Sequence, residues 1–249
     1  MHKLFIPYIM GNKNFIENMK ILGESGADII EIGVPFSDPV ADGPVIMEAG
    51  NKAIQQGVNI TYIFDELTAH RDAINSQYVL MTYINIINHY GEDAFFDACE
   101  KAGVYGLIIP DLPHELVQQL KNRHPHRKVN IISLVAMTTS DERINQIAEN
   151  AEGFIYTVTM NATTGENGKF HPELKRKIEK IKNKAHVPVV AGFGIRTKAH
   201  VNDISEVADG VVIGSEIVKR FEQDQNASTI AYLKSIRTAL MMYKLTVDV

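Results

Sequence analysis

Short apolar runs rich in β-branched residues alternate with amphipathic segments from one end of the chain to the other. The runs have the length and composition of buried strands, and the segments between them repeat apolar residues at helical spacing. The predicted strands are Leu4–Met10, Asp28–Gly33, Tyr78–Tyr83, Tyr105–Ile109, Val129–Leu134, Gly153–Val158, Val187–Ala191 and Asp209–Ile213. The predicted helices are Asn12–Ser25, Val45–Gln56, Ile60–Ile74, one from about Glu92 to Gly103, His114–Arg123, Asp141–Ala148, Pro172–Lys184, Lys198–Ile204, Ser215–Glu222 and Ala227–Tyr243.

Eight successive strand–helix units favour an α/β fold, a closed (β/α)8 TIM barrel with additional helices, over an open doubly wound sheet. No G-x-G-x-x-G follows the first strand, which weighs against a dinucleotide-binding sheet. Neither a linker nor a low-complexity break interrupts the alternation. We therefore expect residues 1–249 to form one domain.

Composition and charge narrow the function classes. A net charge of −5 argues against nucleic acid or an anionic membrane as the main partner. The single cysteine, Cys99, excludes an intramolecular disulfide and is expected to be a small buried residue, not a nucleophile. The first residues lack the apolar core of a signal peptide, and no apolar run approaches the roughly 20 residues of a spanning helix. These features predict a cytoplasmic protein.

The stretch Asp28–Pro44 carries the strongest indication of chemistry. Glu31 lies inside an apolar strand, where burial penalises its charged form unless it is paired or functional. A proline-rich loop follows and carries two more acids, Asp38 and Asp42. This arrangement predicts a catalytic site at the carboxyl end of the strand, and the alternative is a carboxylate held by backbone amides.

Alternation along the strands predicts which side chains enter the barrel. If Ile30 and Ile32 face the helices, Glu31 points inward, and the same reasoning places Tyr156 inward together with Phe154. Tyr8 and Tyr83 stand at the ends of the first and third predicted strands, where their rings could wall a pocket. Ordinary core or rim packing is the alternative for each tyrosine.

Glycine-rich strand ends predict a phosphate site. A-G-F-G-I ends the seventh strand, I-G-S-E ends the eighth and opens a helix, and T-T-G-E-N-G follows the sixth. Glycine lets backbone N–H groups approach an oxyanion, and a helix amino terminus adds partial positive charge. The basic helix Lys175–Lys184 is interpreted as a solvated face. The histidines fall in loops and helix starts, so no metal site is predicted.

These residues resemble a known family. E-I-G-V-P-F-S-D-P-V-A-D-G-P is similar to a characteristic segment of the tryptophan synthase alpha chain. The resemblance extends over nearly the whole chain, through F-I-P-Y-I, G-E-D-A-F-F, P-D-L-P, A-G-F-G-I and I-G-S-E-I-V. It implies a lyase of tryptophan biosynthesis that cleaves indole-3-glycerol phosphate to indole and glyceraldehyde 3-phosphate by a retro-aldol reaction.

The resemblance also implies roles for individual residues. Glu31 matches the acid–base glutamate, Asp42 the aspartate that faces the indole nitrogen, and Tyr156 an active-site tyrosine. The phosphate-binding positions it implies are Gly165, Gly194, Gly214 and Ser215, with Phe193 as the aromatic residue beside them. Tyr8 and Tyr83 join these as predicted substrate-binding residues because of their strand-end positions. The implied partner is a beta chain in an α2β2 heterotetramer, which holds the pyridoxal phosphate, so that no cofactor is expected in this chain.

Three features depart from the family pattern. Tyr8 stands where phenylalanine is common, Met160 where arginine is often seen, and the chain is short before its first strand. Two other functions stay open from the residues alone. One is a non-catalytic phosphate-binding regulatory subunit, and the other is a phosphate-sugar isomerase or epimerase on a related barrel.

Overall fold

Eight parallel strands close into a barrel. The computed structural model describes residues 2–158, 163–164, 169–192, 194–223 and 226–242. The barrel strands follow the order β1-β10-β9-β6-β5-β4-β3-β2, and β1 closes the ring by pairing with both β2 and β10. The predicted (β/α)8 fold is confirmed.

The elements have the following bounds. The barrel strands are β1 (Leu4–Met10), β2 (Ile29–Gly33), β3 (Gln77–Met81), β4 (Gly106–Ile108), β5 (Asn130–Ala136), β6 (Ile155–Val158), β9 (Val189–Gly192) and β10 (Gly210–Ile213). An antiparallel pair outside the barrel consists of β7 (Thr163–Thr164) and β8 (Lys169–Phe170). The helices are α1 (Phe15–Glu24), α2 (Pro44–Gln55), α3 (Ile60–His70), α4 (Ile84–Tyr90), α5 (Glu92–Ala102), α6 (His114–Arg123), α7 (Asp141–Glu149), α8 (Pro172–Lys182), α9 (Lys198–Ile204), α10 (Ser215–Glu222) and α11 (Asn226–Met242), with a 3-10 turn at Arg71–Ala73.

The hydrophobic core occupies both sides of the barrel wall. All five residues of β2 are buried, and Ile30 and Ile32, on either side of Glu31, are fully inaccessible to solvent. Strands that are covered on both faces must be apolar throughout, and this explains why their sequences read as continuous β-branched runs. Glu31 is therefore an exception that the surrounding sequence makes conspicuous.

Helix α4 is the largest element that the sequence did not predict. Its N-cap residue, Tyr83, makes no side-chain capping bond. Instead, the Ile84 N–H donates to Asp111 Oδ1 at 3.0 Å, from a segment that follows β4. A cap supplied from so far along the chain leaves no local signal. The predicted strand Tyr78–Tyr83 was consequently too long, because β3 ends at Met81.

Three smaller predictions were also wrong in detail. The predicted loop Asn161–Lys169 contributes residues to the β7–β8 pair. Phe154, predicted inside the sixth strand, is buried but precedes β6, which begins at Ile155. The last turn of the predicted helix Ile60–Ile74 is a 3-10 turn.

The lysines of α8 are not simply a solvated face. Lys175 Nζ pairs with both Asp203 and Glu206 at 2.7 Å, and Lys182 Nζ pairs with Asp209 at 2.7 Å. Because these acids belong to or follow α9, the lysines join neighbouring helices and the start of β10. The sequence interpretation of this helix was wrong because its partners lie elsewhere in the chain.

Three carboxylates lie at the amino ends of barrel strands: Asp28, Glu152 and Asp209. Each precedes one strand, accepts a backbone N–H of the adjacent strand and pairs with a basic side chain. The partners are Phe5 N and Arg237 for Asp28, Ile131 N, Arg127 and Lys121 for Glu152, and Val189 N and Lys182 for Asp209. We call them the amino-end carboxylates.

Arg237 connects the two ends of the described chain. Its guanidinium donates to Asp28 Oδ2 at 3.0 Å and to the Lys3 carbonyl at 3.1 Å. Lys3 Nζ in turn donates to the Ala208 carbonyl at 2.6 Å. Helix α11 is thereby attached to the amino end of β1. These hydrogen bonds hold the helix against the amino-terminal face of the barrel, beside the first strand.

Candidate active site

Glu31 lies at the centre of β2 with its side chain in the barrel. It is 4% exposed and stands in register with Tyr8 of β1. Burial raises the pKa of Glu31 to about 8, and the nearby charge of Asp42 adds to the shift. Its Oε2 has no hydrogen-bond partner among the residues that the structure describes. The alternative of a carboxylate held by backbone amides therefore does not apply to this oxygen.

Asp42 lies on the loop between β2 and α2 and is half-buried. Burial raises the pKa of Asp42 to about 6, and the Tyr83 hydroxyl beside it opposes that rise. Within the described part of the chain, Asp42 Oδ1 is buried without a hydrogen-bond partner. The two acids have different environments, so near pH 7 Glu31 is mainly neutral and Asp42 mainly ionised.

The loop that carries Asp42 is fixed against Tyr83. Phe36 stacks on the Tyr83 ring with centroids 4.9 Å apart, and the Ala41 N–H donates to the Tyr83 hydroxyl oxygen at 3.2 Å. Tyr83 itself is fully buried just beyond β3. Asp38, in contrast, is exposed on the same loop, where its carboxylate accepts from the Ser37 hydroxyl.

Two tyrosines cross the barrel interior over glycines. The Tyr8 hydroxyl lies where a Cβ on Gly33 would be, and a Cβ on Gly192 would lie 2.5 Å from the Tyr156 hydroxyl. Burial raises the pKa of both tyrosines, and the charge of Glu31 contributes at each. Both hydroxyls are therefore near Glu31 and stay protonated at neutral pH.

The structure brings together Glu31, Asp42, Tyr8, Tyr83 and Tyr156. The predicted positions of two tyrosines along their strands were wrong, however. Tyr8 lies two residues before the end of β1, and Tyr83 lies two residues past β3. Both still reach the site, because a tyrosine side chain extends well beyond its own backbone.

The predicted phosphate positions meet at the ends of β9 and β10. Gly194 has a φ of +77°, a conformation that favours glycine. Gly214 is the N-cap residue of α10, and Ser215 begins that helix, where no side chain caps the first turn. A Cβ on Gly214 would lie 3.7 Å from Tyr8 Cβ, so this helix start adjoins the barrel interior. The predicted residues Gly165 and Phe193, and Met160, lie outside the described residues.

Sequence reasoning missed the residues that support the site. Gly33 and Gly192 leave room for the tyrosine rings, Phe36 packs on Tyr83, and Asp111 orients the helix that follows Tyr83. A glycine at the end of a strand, beside an inward tyrosine on its neighbour, was the available signal for the first two. Phe36 and Asp111 act through contacts distant in sequence.

Other candidate chemistry is not found in the described part of the chain. No group of three or more His, Cys, Asp or Glu side chains there could hold a metal ion. No helix there is long and apolar enough to cross a membrane. Cys99 is fully buried, and burial raises its pKa, which confirms its expected role as a small core residue.

Comparison with known proteins decides the family. The model of the tryptophan synthase alpha chain family matches residues 1–244. The chain belongs to the tryptophan synthase alpha chain family. The tryptophan synthase alpha chain of Staphylococcus saprophyticus is 75% identical over 240 residues, which cover 96% of this chain and 100% of that one. Its Staphylococcus haemolyticus counterpart is 68% identical over 96% of this chain and 99% of that one.

Solved structures agree with this assignment. The tryptophan synthase alpha subunit of Legionella pneumophila superposes with a TM-score of 0.86 at 31% identity, over 96% of this chain and 92% of that one. A Mycobacterium tuberculosis tryptophan synthase structure gives the same score at 31% identity, over 96% and 93% of the two chains. As a member of this family, the protein is a lyase that cleaves indole-3-glycerol phosphate in tryptophan biosynthesis.

Proposed function

We propose that this chain cleaves indole-3-glycerol phosphate with Glu31 as the acid and base and Asp42 as the electrostatic stabiliser. The observation that supports this most directly is the pair of buried carboxylate oxygens, Glu31 Oε2 and Asp42 Oδ1, which lack partners in the described residues. Buried acids that keep no protein partner lower stability, and a substrate that supplies the missing contacts accounts for them.

The two proton transfers use one carboxyl group. Neutral Glu31 donates its proton to C3 of the indole ring, and the resulting carboxylate removes the proton of the adjacent glycerol hydroxyl. The bond between C3 and the glycerol carbon then breaks. Its electron pair returns to the ring as neutral indole, the oxygen becomes the aldehyde oxygen, and Glu31 is protonated again.

Asp42 has the complementary role. Protonation at C3 places positive charge on the ring, and an ionised carboxylate facing the ring nitrogen stabilises that charge. Its pKa of about 6 keeps it ionised at neutral pH, while the pKa of about 8 keeps Glu31 protonated. We propose that Tyr156, beside Glu31, and the rings of Tyr8 and Tyr83 enclose the indole.

The phosphate is assigned to the ends of β9 and β10. The left-handed backbone at Gly194 and the uncapped start of α10 at Gly214 and Ser215 support contacts through backbone N–H groups. Gly165 and Phe193 complete the proposed site by resemblance to the family. Binding the phosphate would orient the glycerol chain toward Glu31.

The direct test is cleavage by the isolated chain. Purified protein should release one indole and one glyceraldehyde 3-phosphate from each indole-3-glycerol phosphate, and each product can be quantified separately. Gly214→Ala is a useful second variant, because a Cβ there makes only ordinary contacts and φ is −106°. It should weaken binding of glycerol phosphate but not of indole. Absence of cleavage would refute the proposed function, and equal losses for both ligands would refute the phosphate site.

We also propose a beta chain as the partner, in an α2β2 heterotetramer. Several structural relatives are Mycobacterium tuberculosis tryptophan synthases, and two of them are aminoacrylate-bound forms. Pyridoxal phosphate would belong to that partner, and we propose no cofactor for this chain because the cleavage needs only proton transfer and charge stabilisation. A phosphorylated, charged substrate fits a cytoplasmic location.

The exposed part of the 37–44 loop is suited to report the state of the site to the partner. Asp38 is exposed there, four residues from Asp42, and Asn85 is exposed at the start of α4. Asp38→Ala should lose most of the ten- to hundredfold acceleration expected from a coupling of about 1–3 kcal/mol. Basal cleavage should stay within a few fold. Full stimulation of the variant by the beta chain would show that this loop is not the switch.

A further inference from the structure

A third polar atom in the site has no partner and no assigned role. The Tyr8 hydroxyl is buried and makes no hydrogen bond within the part of the chain that the structure describes. A hydroxyl buried in this way costs free energy relative to phenylalanine, which fills the same space without a polar group. The ring alone would therefore explain packing and contact with indole, but not the oxygen.

The position of Tyr8 places this oxygen between the two ends of the substrate. Its Cβ is beside Gly214, at the proposed phosphate end, and its hydroxyl lies over Gly33, next to the strand position of Glu31. The charges of Asp42 and Glu31 both raise the pKa of Tyr8 in addition to burial, which shows that the hydroxyl is close to both acids. The glycerol chain must cross this space if the phosphate and the indole bind as proposed above.

The hydrogen-bonding capacities of Glu31 and Asp42 leave one reacting atom, the glycerol oxygen, without a second donor. Asp42 is an acceptor for the ring N–H, and Glu31 gives its proton to carbon and then accepts one from the glycerol hydroxyl. Ionised Asp42 has no proton to donate, and the only proton that Glu31 can offer the glycerol oxygen is the one it has just removed from it, so a second donor to the developing negative charge is missing. The Tyr83 hydroxyl faces the loop, where it accepts from Ala41 N–H. A neutral phenol inside the barrel is suited to supply the donor.

We propose that the Tyr8 hydroxyl donates a hydrogen bond to the glycerol oxygen that becomes the aldehyde oxygen. This inference rests on the proposed function, because it uses the same substrate orientation. It gives Tyr8 a polar contact with a reacting atom, in addition to the aromatic contact with indole. The oxygen of Tyr8 is then satisfied by substrate instead of by protein.

The test is Tyr8→Phe, which removes the hydroxyl and keeps the ring. We expect kcat/KM for indole-3-glycerol phosphate to fall by about 10²-fold, mainly through kcat, as for loss of one donor to a developing oxyanion. Binding of indole-3-propyl phosphate, which lacks both glycerol hydroxyls, should change less than twofold. The midpoint of thermal unfolding should stay the same or rise, because the hydroxyl has no described protein partner to lose.

Tyr78→Phe is the matched control. Its hydroxyl is also buried but donates to the Ala102 carbonyl, away from the site, so the variant should lose stability and keep its kinetics. Three results would overturn the proposal: unchanged kcat/KM in Tyr8→Phe, equal loss of affinity for substrate and for the analogue, or destabilisation like that of Tyr78→Phe. Cleavage by the wild-type chain in the same assay separates these failures from failure of the proposed function.

Discussion

The acids at the amino ends of the barrel strands and the two acids of the candidate active site have opposite surroundings. At the amino ends, Asp28, Glu152 and Asp209 each accept a backbone N–H and pair with a basic side chain. At the centre of β2 and on the loop that follows it, Glu31 and Asp42 each retain a buried oxygen that no described residue satisfies. The pKa of Glu152 is lowered by its partners, whereas the pKa values of Glu31 and Asp42 are raised by burial.

This difference separates stability from function within one barrel. The amino-end carboxylates fasten neighbouring strands and their helices, so their contacts contribute to the folded state. The acids in the interior lower stability when charged, and each has one buried oxygen without a partner among the described residues. Because the contacts at the amino ends stabilise the barrel, the carboxyl ends of the strands can hold reactive groups, as they do in other (β/α)8 barrels.

The largest expected effect is on turnover, where the same change to glutamine should act very differently at Glu31 and at Glu152. Glu31→Gln should reduce kcat for cleavage by 10²–10⁴-fold or more, because one group serves both proton transfers. The fold should be retained, since the amide is isosteric and replaces a carboxylate whose Oε2 has no partner among the described residues. Glu152→Gln is the matched control and should keep turnover within a few fold. Near wild-type turnover in Glu31→Gln would show that Glu31 is not the acid and base, and that the two glutamates do not differ in function.

The pH dependence of kcat/KM should show both interior acids. Ionised Asp42 and protonated Glu31 are the active forms, so activity should fall below about pH 6 and above about pH 8. Asp42→Asn should lower activity by about 10²-fold and remove its share of the acidic limb. In that variant the alkaline limb should persist but move to lower pH, because the charge of Asp42 no longer adds to the raised pKa of Glu31. A profile flat from pH 5 to 9 in the wild type would contradict the assignment.

The smallest expected effects are changes in the free energy of unfolding, and Glu31→Gln and Glu152→Gln should change it in opposite directions. Folded Glu31 keeps its proton to about pH 8, whereas the unfolded chain loses it near 4.5, so the folded state binds more protons between these values. Wild-type stability should therefore fall as pH rises through this window, and Glu31→Gln should abolish that loss of at most about 5 kcal/mol.

Glu152→Gln should instead lower stability at neutral pH. The change leaves Arg127 and Lys121 without their carboxylate, and we expect a loss of about 1–3 kcal/mol, since Glu152 is 31% exposed and partly screened. Urea unfolding of both variants at pH 5 and 8 measures the two effects. Stabilisation of Glu152→Gln at neutral pH, or a pH-independent Glu31→Gln difference, would contradict the contrast.

The sequence predicted those features whose causes are local. The β-branched runs gave the eight barrel strands, because buried parallel strands must be apolar on both faces. Glu31 was identifiable for the same reason, as an acid inside such a run. Helix α9 was predicted with its observed bounds, since Thr197 caps it through the His200 N–H, three residues away.

Features that depend on distant contacts were missed or misread. The start of α4 is capped by Asp111, the lysines of α8 pair with acids from α9 onward, and Phe36 stacks on a tyrosine from the next strand–helix unit. None of these contacts has a signal within its own segment. The support of the candidate site could therefore not be predicted, although its central acids could.

The contact between Tyr8 and Gly33 constrains how the binding pocket can be altered. Any side chain at position 33 would occupy the space of the Tyr8 hydroxyl, so substitutions at these two positions are expected to be strongly non-additive. Enlarging residue 33 is tolerable only alongside a smaller residue at position 8. Attempts to evolve this barrel toward substituted indoles should therefore randomise the two codons together, because single-site libraries would discard combinations whose individual members fail.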